Sequence, residues 1–155
     1  MIGFEPFRRE HLPLLRDWLS REHLRRWWGD ESLGHAEDAL AGRDASAYYL
    51  IVVDGRAVGM VQTYLVSDYP EWEAVVGPGK GLAGVDLLIG EKDATGRGLG
   101  PQVLEQFTRE VVLAARRRRR AWPRSRRRIA ARGGRSRRPA SGTCATSRKT
   151  AFRTD

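Results

Sequence analysis

Gly84-Val85-Asp86-Leu87-Leu88-Ile89-Gly90, followed at Thr95-Gly96-Arg97-Gly98-Leu99-Gly100 by a run of alternate glycines, is the stretch on which the fold turns. Ala83–Ile89 is an apolar run with a single polar residue, Asp86, and reads as a buried strand. Gly90–Gly96 turns the chain. From Gly98 to about Ala115, Leu99, Val103, Leu104, Phe107, Val111 and Val112 recur at helical spacing and form one apolar stripe. A strand entering a helix through glycines lets a ligand approach the backbone closely, and the first N–H groups of the helix can hold a phosphate or pyrophosphate. Alone, the glycine run is equally consistent with an ordinary strand-to-helix turn. No Lys-Ser or Lys-Thr pair follows it, so it is not a Walker loop. Antiparallel strands precede it, so a dinucleotide fingerprint does not fit. A phosphate-bearing acyl carrier suits it better.

Upstream, the clearest hairpin is Tyr48–Val53, the two-residue turn Asp54-Gly55, and Arg56–Leu65. Ile2–Arg8 reads as a first strand, with Pro6 placing it at an edge or an end. Glu10–Leu19 carries Leu12, Leu15, Trp18 and Leu19 on one stripe and predicts a helix. Ser20 is a candidate N-cap for a second short helix over Arg21–Trp28, ended by Gly29, and His35–Ala41 fits a third. Ser67–Leu82, with Pro70, Pro78 and several glycines, reads as a loop. There is no internal repeat.

The chain of 155 residues suits one domain, and its formal net charge of +9 is unevenly spread. Residues 1–115 hold 12 basic and 18 acidic residues, net −6, whereas 116–155 hold 16 basic and one acidic, net +15. The basic segment has no Leu or Val and only one Ile, so it buries too little apolar surface to offset its ordering entropy. It is expected to be a tail without order. A lone cysteine, Cys144, excludes an internal disulfide framework and a cysteine-built zinc site. His11, His23 and His35 show no metal-binding spacing. No apolar run approaches the roughly 18 residues of a spanning helix, and Met1–Phe7 lacks the features of a signal peptide. The expectation is a cytoplasmic protein without a membrane partner.

Three features offer chemistry. Asp86 is a carboxylate in an apolar strand, costly to bury without a partner, so it either pairs with an arginine or opens into a cleft. Trp27-Trp28-Gly29-Asp30 follows a basic helix and reads either as core or as the flat wall of a cleft. Asp68, Glu71 and Glu73 surround Trp72, an acidic and aromatic setting suited to a polycationic amine, with a solvated loop as the plainer reading.

These segments stand in an order that resembles the GCN5-related N-acetyltransferases (GNAT) and, among them, the aminoglycoside 6'-N-acetyltransferases. The resemblance is carried by Phe4-Glu5-Pro6-Phe7, His11-Leu12-Pro13-Leu14-Leu15, Trp18-Leu19, His23 with Arg25-Arg26-Trp27-Trp28-Gly29, Gly84-Val85-Asp86 with Ile89-Gly90, and Gly96-Arg97-Gly98-Leu99-Gly100. It covers about Met1–Ala115 and extends to the acyltransferases of siderophore biosynthesis. It implies an α/β (α+β) fold: a mixed, mainly antiparallel sheet with flanking helices, spanning 1–115 as a partial domain. The family's C-terminal strands and helix would be missing or replaced by the tail of 116–155. Acetyl-CoA would be the co-substrate, with no metal, its pantetheine arm along Leu87, Leu88 and Ile89. Its pyrophosphate would meet Thr95, Gly96, Arg97, Gly98, Leu99 and Gly100. Asp86 would be the catalytic carboxylate that orients the substrate amine and helps remove its proton. Trp28, Asp68 and Trp72, with Asp86, would line the substrate site. The partner expected is a small-molecule amine.

Two other readings stand beside this one: a siderophore or lysine N-acyltransferase of the same superfamily, and non-specific nucleic-acid binding by the basic tail. The tail has only Trp122 and Phe152 for stacking, so no specific nucleic acid is expected. Ala145-Thr146-Ser147-Arg148-Lys149-Thr150-Ala151-Phe152, read one frame away, permits Asp-Phe-Glu-Lys-Asp-Gly-Phe, which is close to the Glu-Lys-x-Gly-Phe-like segment that ends the family's further helix before its closing strands. The tail therefore reads as the product of a shifted frame in a GC-rich gene. The coding DNA decides this: the idea is wrong if no single frame change restores acidic and apolar residues after about Val112.

Overall fold

Asp54 and Gly55 take φ of +50° and +81°, the pair of left-handed conformations that closes a two-residue hairpin. That turn joins β2 (Ala47–Val53) to β3 (Arg56–Leu65), as the Asp-Gly pair predicts. β1 (Ile2–Pro6) adds to the outer side of β2, and β4 (Ala83–Ile89) pairs with β3 over its whole length. In this computed structural model the described residues are 1–71, 74, 82–114 and 150–152. The sheet runs β1-β2-β3-β4-β5 with every neighbouring pair antiparallel.

β5 (Thr150–Phe152) corrects one expectation. The composition of 116–155 argues against order throughout, yet these three residues pair with Ala83–Val85. An unpaired sheet edge is a template for any extended backbone, and pairing satisfies its N–H and C=O groups whatever the side chains are. The remainder of 116–155, and Trp72 with Glu73 in the long loop, lie outside the described residues.

Strand alternation sends residues to two cores. Val61, Val85, Leu87 and Ile89 face helix α4 (Leu99–Phe107) and meet its Val103, Leu104 and Phe107. Leu50, Met60 and Leu88 face the other way, onto α1 (Leu12–Ser20), α2 (Glu22–Arg25) and α3 (Ser32–Leu40), where Leu15, Trp18, Leu24 and Ala36 are buried. Phe107 is capped by the rings of Phe4 and Tyr49, 5.0 and 5.4 Å away and edge-on, the arrangement the aromatic quadrupole favours.

The helices differ from their sequence outlines in several places, α3 among them, which starts at Ser32 rather than His35. Ser20 ends α1 rather than capping α2, and its hydroxyl donates to the Asp17 carbonyl (2.7 Å), while Arg21 takes the cap position. α2 stops at Arg25, although Trp27 and Trp28 still donate backbone bonds to the Leu24 carbonyl (2.8 and 2.9 Å). Beyond Phe107, α4 passes into a π-helical turn, Thr108–Val112. Its wider spacing brings Val112, five residues after Phe107, into the core and leaves Val111 partly buried. Among the described residues no helix is long and apolar enough to cross a membrane.

Candidate active site

Antiparallel register places Asp86 opposite Gln62, Gly84 opposite Tyr64 and Leu88 opposite Met60, all on the sheet face that carries α1–α3. Asp86 is buried at 5% exposure. Gln62 Nε2 donates to Asp86 Oδ2 at 2.9 Å. The Tyr64 ring lies over Gly84, where a Cβ would fall inside the ring, so glycine is what allows the phenol to approach its strand partner. Burial, then the charge of the Asp86 carboxylate, holds the Tyr64 phenol well above the usual value.

The cluster continues outward. The Tyr69 ring meets Tyr64 edge-on at 5.3 Å. Its hydroxyl donates to Asp44 Oδ1 (2.7 Å) and shares a bond with Ser46 Oγ (2.8 Å). Burial, then the charges of Asp44, Tyr69 and Asp86, push Tyr48 up as well. Partial burial and the neighbouring Asp44 raise Asp68. Three carboxylates, Asp44, Asp68 and Asp86, are thus gathered with Tyr48, Tyr64 and Tyr69. Neither Asp44 nor Asp68 has a cationic partner within ion-pair reach among the described residues, so the cluster presents negative potential suited to an ammonium group. Of its members, the sequence singles out only Asp68 and Asp86. The alternation of Gln62 and Tyr64 is the one signal for the others, and it acquires meaning only through the register with β4.

On the opposite face of the same strand lies a cleft of ≈ 240 Å³. Leu87 and Ile89 form one wall, Leu99 and Leu104 of α4 another, and Thr95, Gly96, Gly98 and Gly100 the lip. Gly96 and Gly98 both take φ of +73°, a left-handed conformation that glycine adopts without penalty, and Gly98 is the N-cap of α4. The first turn of α4 therefore opens into the cleft with N–H groups that have no partner within the helix, although Pro101 contributes none. Thr95 is committed locally: its hydroxyl and its N–H both reach the Lys92 carbonyl (2.7 and 3.1 Å). Arg97 is exposed beside the loop. Leu88 sends its side chain to the other core, so only its backbone is on offer at the strand edge. β5 covers Ala83–Val85, and Leu87–Ile89 have no strand partner on that edge among the described residues.

Trp28 stands apart from this arrangement. It packs against the α1–α3 core and lines a separate hollow with Arg16, Leu19, Arg25, Asp30 and Leu33, none of which belongs to the Asp86 cluster. Its indole N–H is buried and lacks a partner among the described residues. Trp72 lies outside those residues. No group of three or more His, Cys, Asp or Glu that could hold a metal ion occurs among the described residues.

Residues 8–126 match the family model described as an acetyltransferase (GNAT) domain. Over 106 residues the chain is 27% identical to aminoglycoside N(6')-acetyltransferase type 1 of Klebsiella pneumoniae, and equally so to that of Serratia marcescens; the match takes in 61% of this chain and 52% of each relative. The chain thus spans about half the length of the curated relatives it matches. Among solved structures it is similar to the aminoglycoside acetyltransferase AAC(6')-Ib in complex with coenzyme A and kanamycin, with a TM-score of 0.63 at 21% identity over 74% of this chain and 68% of that one. The same enzyme in complex with paromomycin and acetyl-CoA gives a TM-score of 0.63 at 21% identity, over 73% and 67%. This likeness concerns the fold.

Proposed function

The chain belongs to the GNAT acetyltransferase family, and from that premise we propose that it transfers the acetyl group of acetyl-CoA to an amine of an aminoglycoside-like substrate. One observation carries the reading: a single strand, β4, has a glycine-lipped cleft on one face and an acid–tyrosine cluster that includes Asp86 on the other. The names of the matched relatives, and the ligands in the solved neighbours, support the same pairing of an acyl-CoA with a cationic amine.

The division of labour follows from the chemistry. The free amides of the first turn of α4, with Gly96 and Gly98 removing side-chain bulk, hold the pyrophosphate. The edge at Leu87, Leu88 and Ile89, without a strand partner among the described residues, takes the pantetheine arm as a further strand would. Asp86 accepts a hydrogen bond from the substrate ammonium and draws off its proton, so that the neutral amine can attack the thioester carbonyl. A C–N bond forms, the C–S bond breaks, and the departing thiolate takes up a proton. Asp44 and Asp68 hold further ammonium groups of the polyamine, and the tyrosines provide apolar faces with polar rims. Trp28 contributes to this substrate wall only if the amine extends to its own hollow.

The test uses the full chain with acetyl-CoA and kanamycin, following thiol release and identifying the acetylated product by mass spectrometry. Transfer to the aminoglycoside is the expected result. Release only with hydroxylated lysine refutes the aminoglycoside assignment, and failure to bind coenzyme A at all refutes the acetyltransferase.

A further inference from the structure

We infer that Arg56, on the β2–β3 hairpin, is a positioning residue for acyl-CoA: it neutralises Glu91 and Asp93, two carboxylates that would otherwise repel the polyphosphate end of the co-substrate at the lip of the cleft. This rests on the acetyl-CoA reading of that cleft.

Three residues, Glu91, Lys92 and Asp93, lie between Gly90, which follows the cleft wall at Ile89, and the lip that begins at Ala94 and Thr95. Two of the three are acids, beside a loop whose proposed task is to bind phosphates. Arg56 reaches both. Its Nη2 lies 2.9 Å from Glu91 Oε2, and its Nη1 lies 2.7 Å from Asp93 Oδ2. Arg21 shares Glu91 at 3.0 Å, so Glu91 has two cations, whereas Arg56 is the one arginine or lysine in ion-pair contact with Asp93 among the described residues. Asp93 also feels the charge of Arg97 within the glycine loop, which places it in the electrostatic surroundings of that loop. Removing Arg56 exposes the full charge of Asp93 and half-unmasks Glu91. A phosphate-bearing ligand then meets one positive charge fewer and an uncompensated carboxylate beside the lip, so its binding weakens.

A purely mechanical tether makes a different forecast, because Arg56–Asp93 can be broken from either side. Coenzyme A affinity of the full chain is measured by calorimetry for the wild type, Arg56→Ala, Arg56→Lys, Asp93→Asn and Arg56→Ala/Asp93→Asn, each checked for a native thermal transition. The expected result is about three- to tenfold weaker binding for Arg56→Ala, diminishing as salt rises. Arg56→Lys keeps the charge and binds within about twofold of the wild type. Asp93→Asn binds as tightly as the wild type or tighter, and the double variant recovers most of the loss. The inference is overturned if Arg56→Ala binds normally, if Asp93→Asn weakens binding as much as Arg56→Ala, or if the double variant is no better than Arg56→Ala alone. A wild-type chain that does not bind coenzyme A removes the acetyl-CoA reading itself, and this inference with it.

Discussion

Gln62 donates a 2.9 Å hydrogen bond from Nε2 to Oδ2 of Asp86, across adjacent strands and between residues 24 positions apart. The bond fixes which way a buried carboxylate presents itself. Asp86→Asn keeps the shape and removes the base, so acetyl transfer should fall by about 10²–10⁴-fold in kcat/KM. Gln62→Leu leaves the carboxylate in place but unaimed, and should cost about tenfold, with the KM for acetyl-CoA unchanged. Steady-state kinetics with both substrates varied would check this. An effect of Gln62→Leu on acetyl-CoA KM alone would contradict the geometry.

Gly98 and Gly100 separate two uses of glycine. Gly98 sits at φ +73° with open space around it, since a Cβ there would have Gln102 Nε2 as its nearest neighbour at 4.0 Å, so Gly98→Ala meets backbone strain and little else. Its cost should be about 1–2 kcal/mol in urea unfolding. Gly100 lies inside α4 with nothing within 4 Å, so Gly100→Ala should stabilise by about 0.5–1 kcal/mol through helix propensity. The same methyl group intrudes on the cleft lip, and coenzyme A binding should weaken while stability rises. A Gly100→Ala chain that binds coenzyme A normally would show that the ligand does not approach this turn.

Much of the frame was legible because local signals agreed with one another. Ala83–Ile89 reads as a strand from composition alone and has those bounds, and the Asp-Gly turn fixes the β2–β3 hairpin. The stripe of α4 contains its buried residues Val103, Leu104, Phe107 and Val112, while Leu99 and Val111, on the same stripe, are only partly buried. Asp86 announced itself as a polar residue in an apolar run. Its companions did not: Gln62 and Tyr64 look like ordinary alternation until register sets them against Asp86 and Gly84. Asp44 and Tyr69 meet through a contact between two loops that no periodicity encodes. Ser20 is a good cap residue, but the preceding turn captured its hydroxyl first. Thr150–Phe152 sits in a segment whose composition argues against order, because edge pairing depends on a strand far away rather than on local pattern.

Gly90, just past β4, and Trp18 of α1 come into close contact. Trp18 is fully buried, and a Cβ on Gly90 would fall on its indole. Gly90→Ala therefore has to displace the ring, which also strains the 2.8 Å bond from Trp18 Nε1 to Glu91. The expected loss is about 2–4 kcal/mol, the range for overpacking a closed core together with a broken polar contact. Gly34→Ala in α3, with nothing within 4 Å, is the matched control and should gain about 0.5–1 kcal/mol. Equal midpoints for the two variants in urea would rule out the close approach.

Glu91 should make stability depend on acid in a definite direction. The Trp18 indole N–H, then the Arg21 guanidinium, hold its carboxyl below the ordinary 4.5, outweighing the opposing effect of burial. A carboxyl depressed in the folded state binds protons more readily once unfolded. Its contribution is therefore complete above about pH 5, beyond the unfolded value, and is lost as pH falls through the folded one. Asp93 is shifted the same way by Arg56, so both act in the same window. Glu91→Gln cannot lose a charge it lacks. It should be less stable than the wild type at about pH 6, and the gap should close as both are taken towards about pH 3. Urea unfolding at half-unit steps across that range reads this directly: a gap that stays constant would mean that Glu91 is not held by its partners as a charged group.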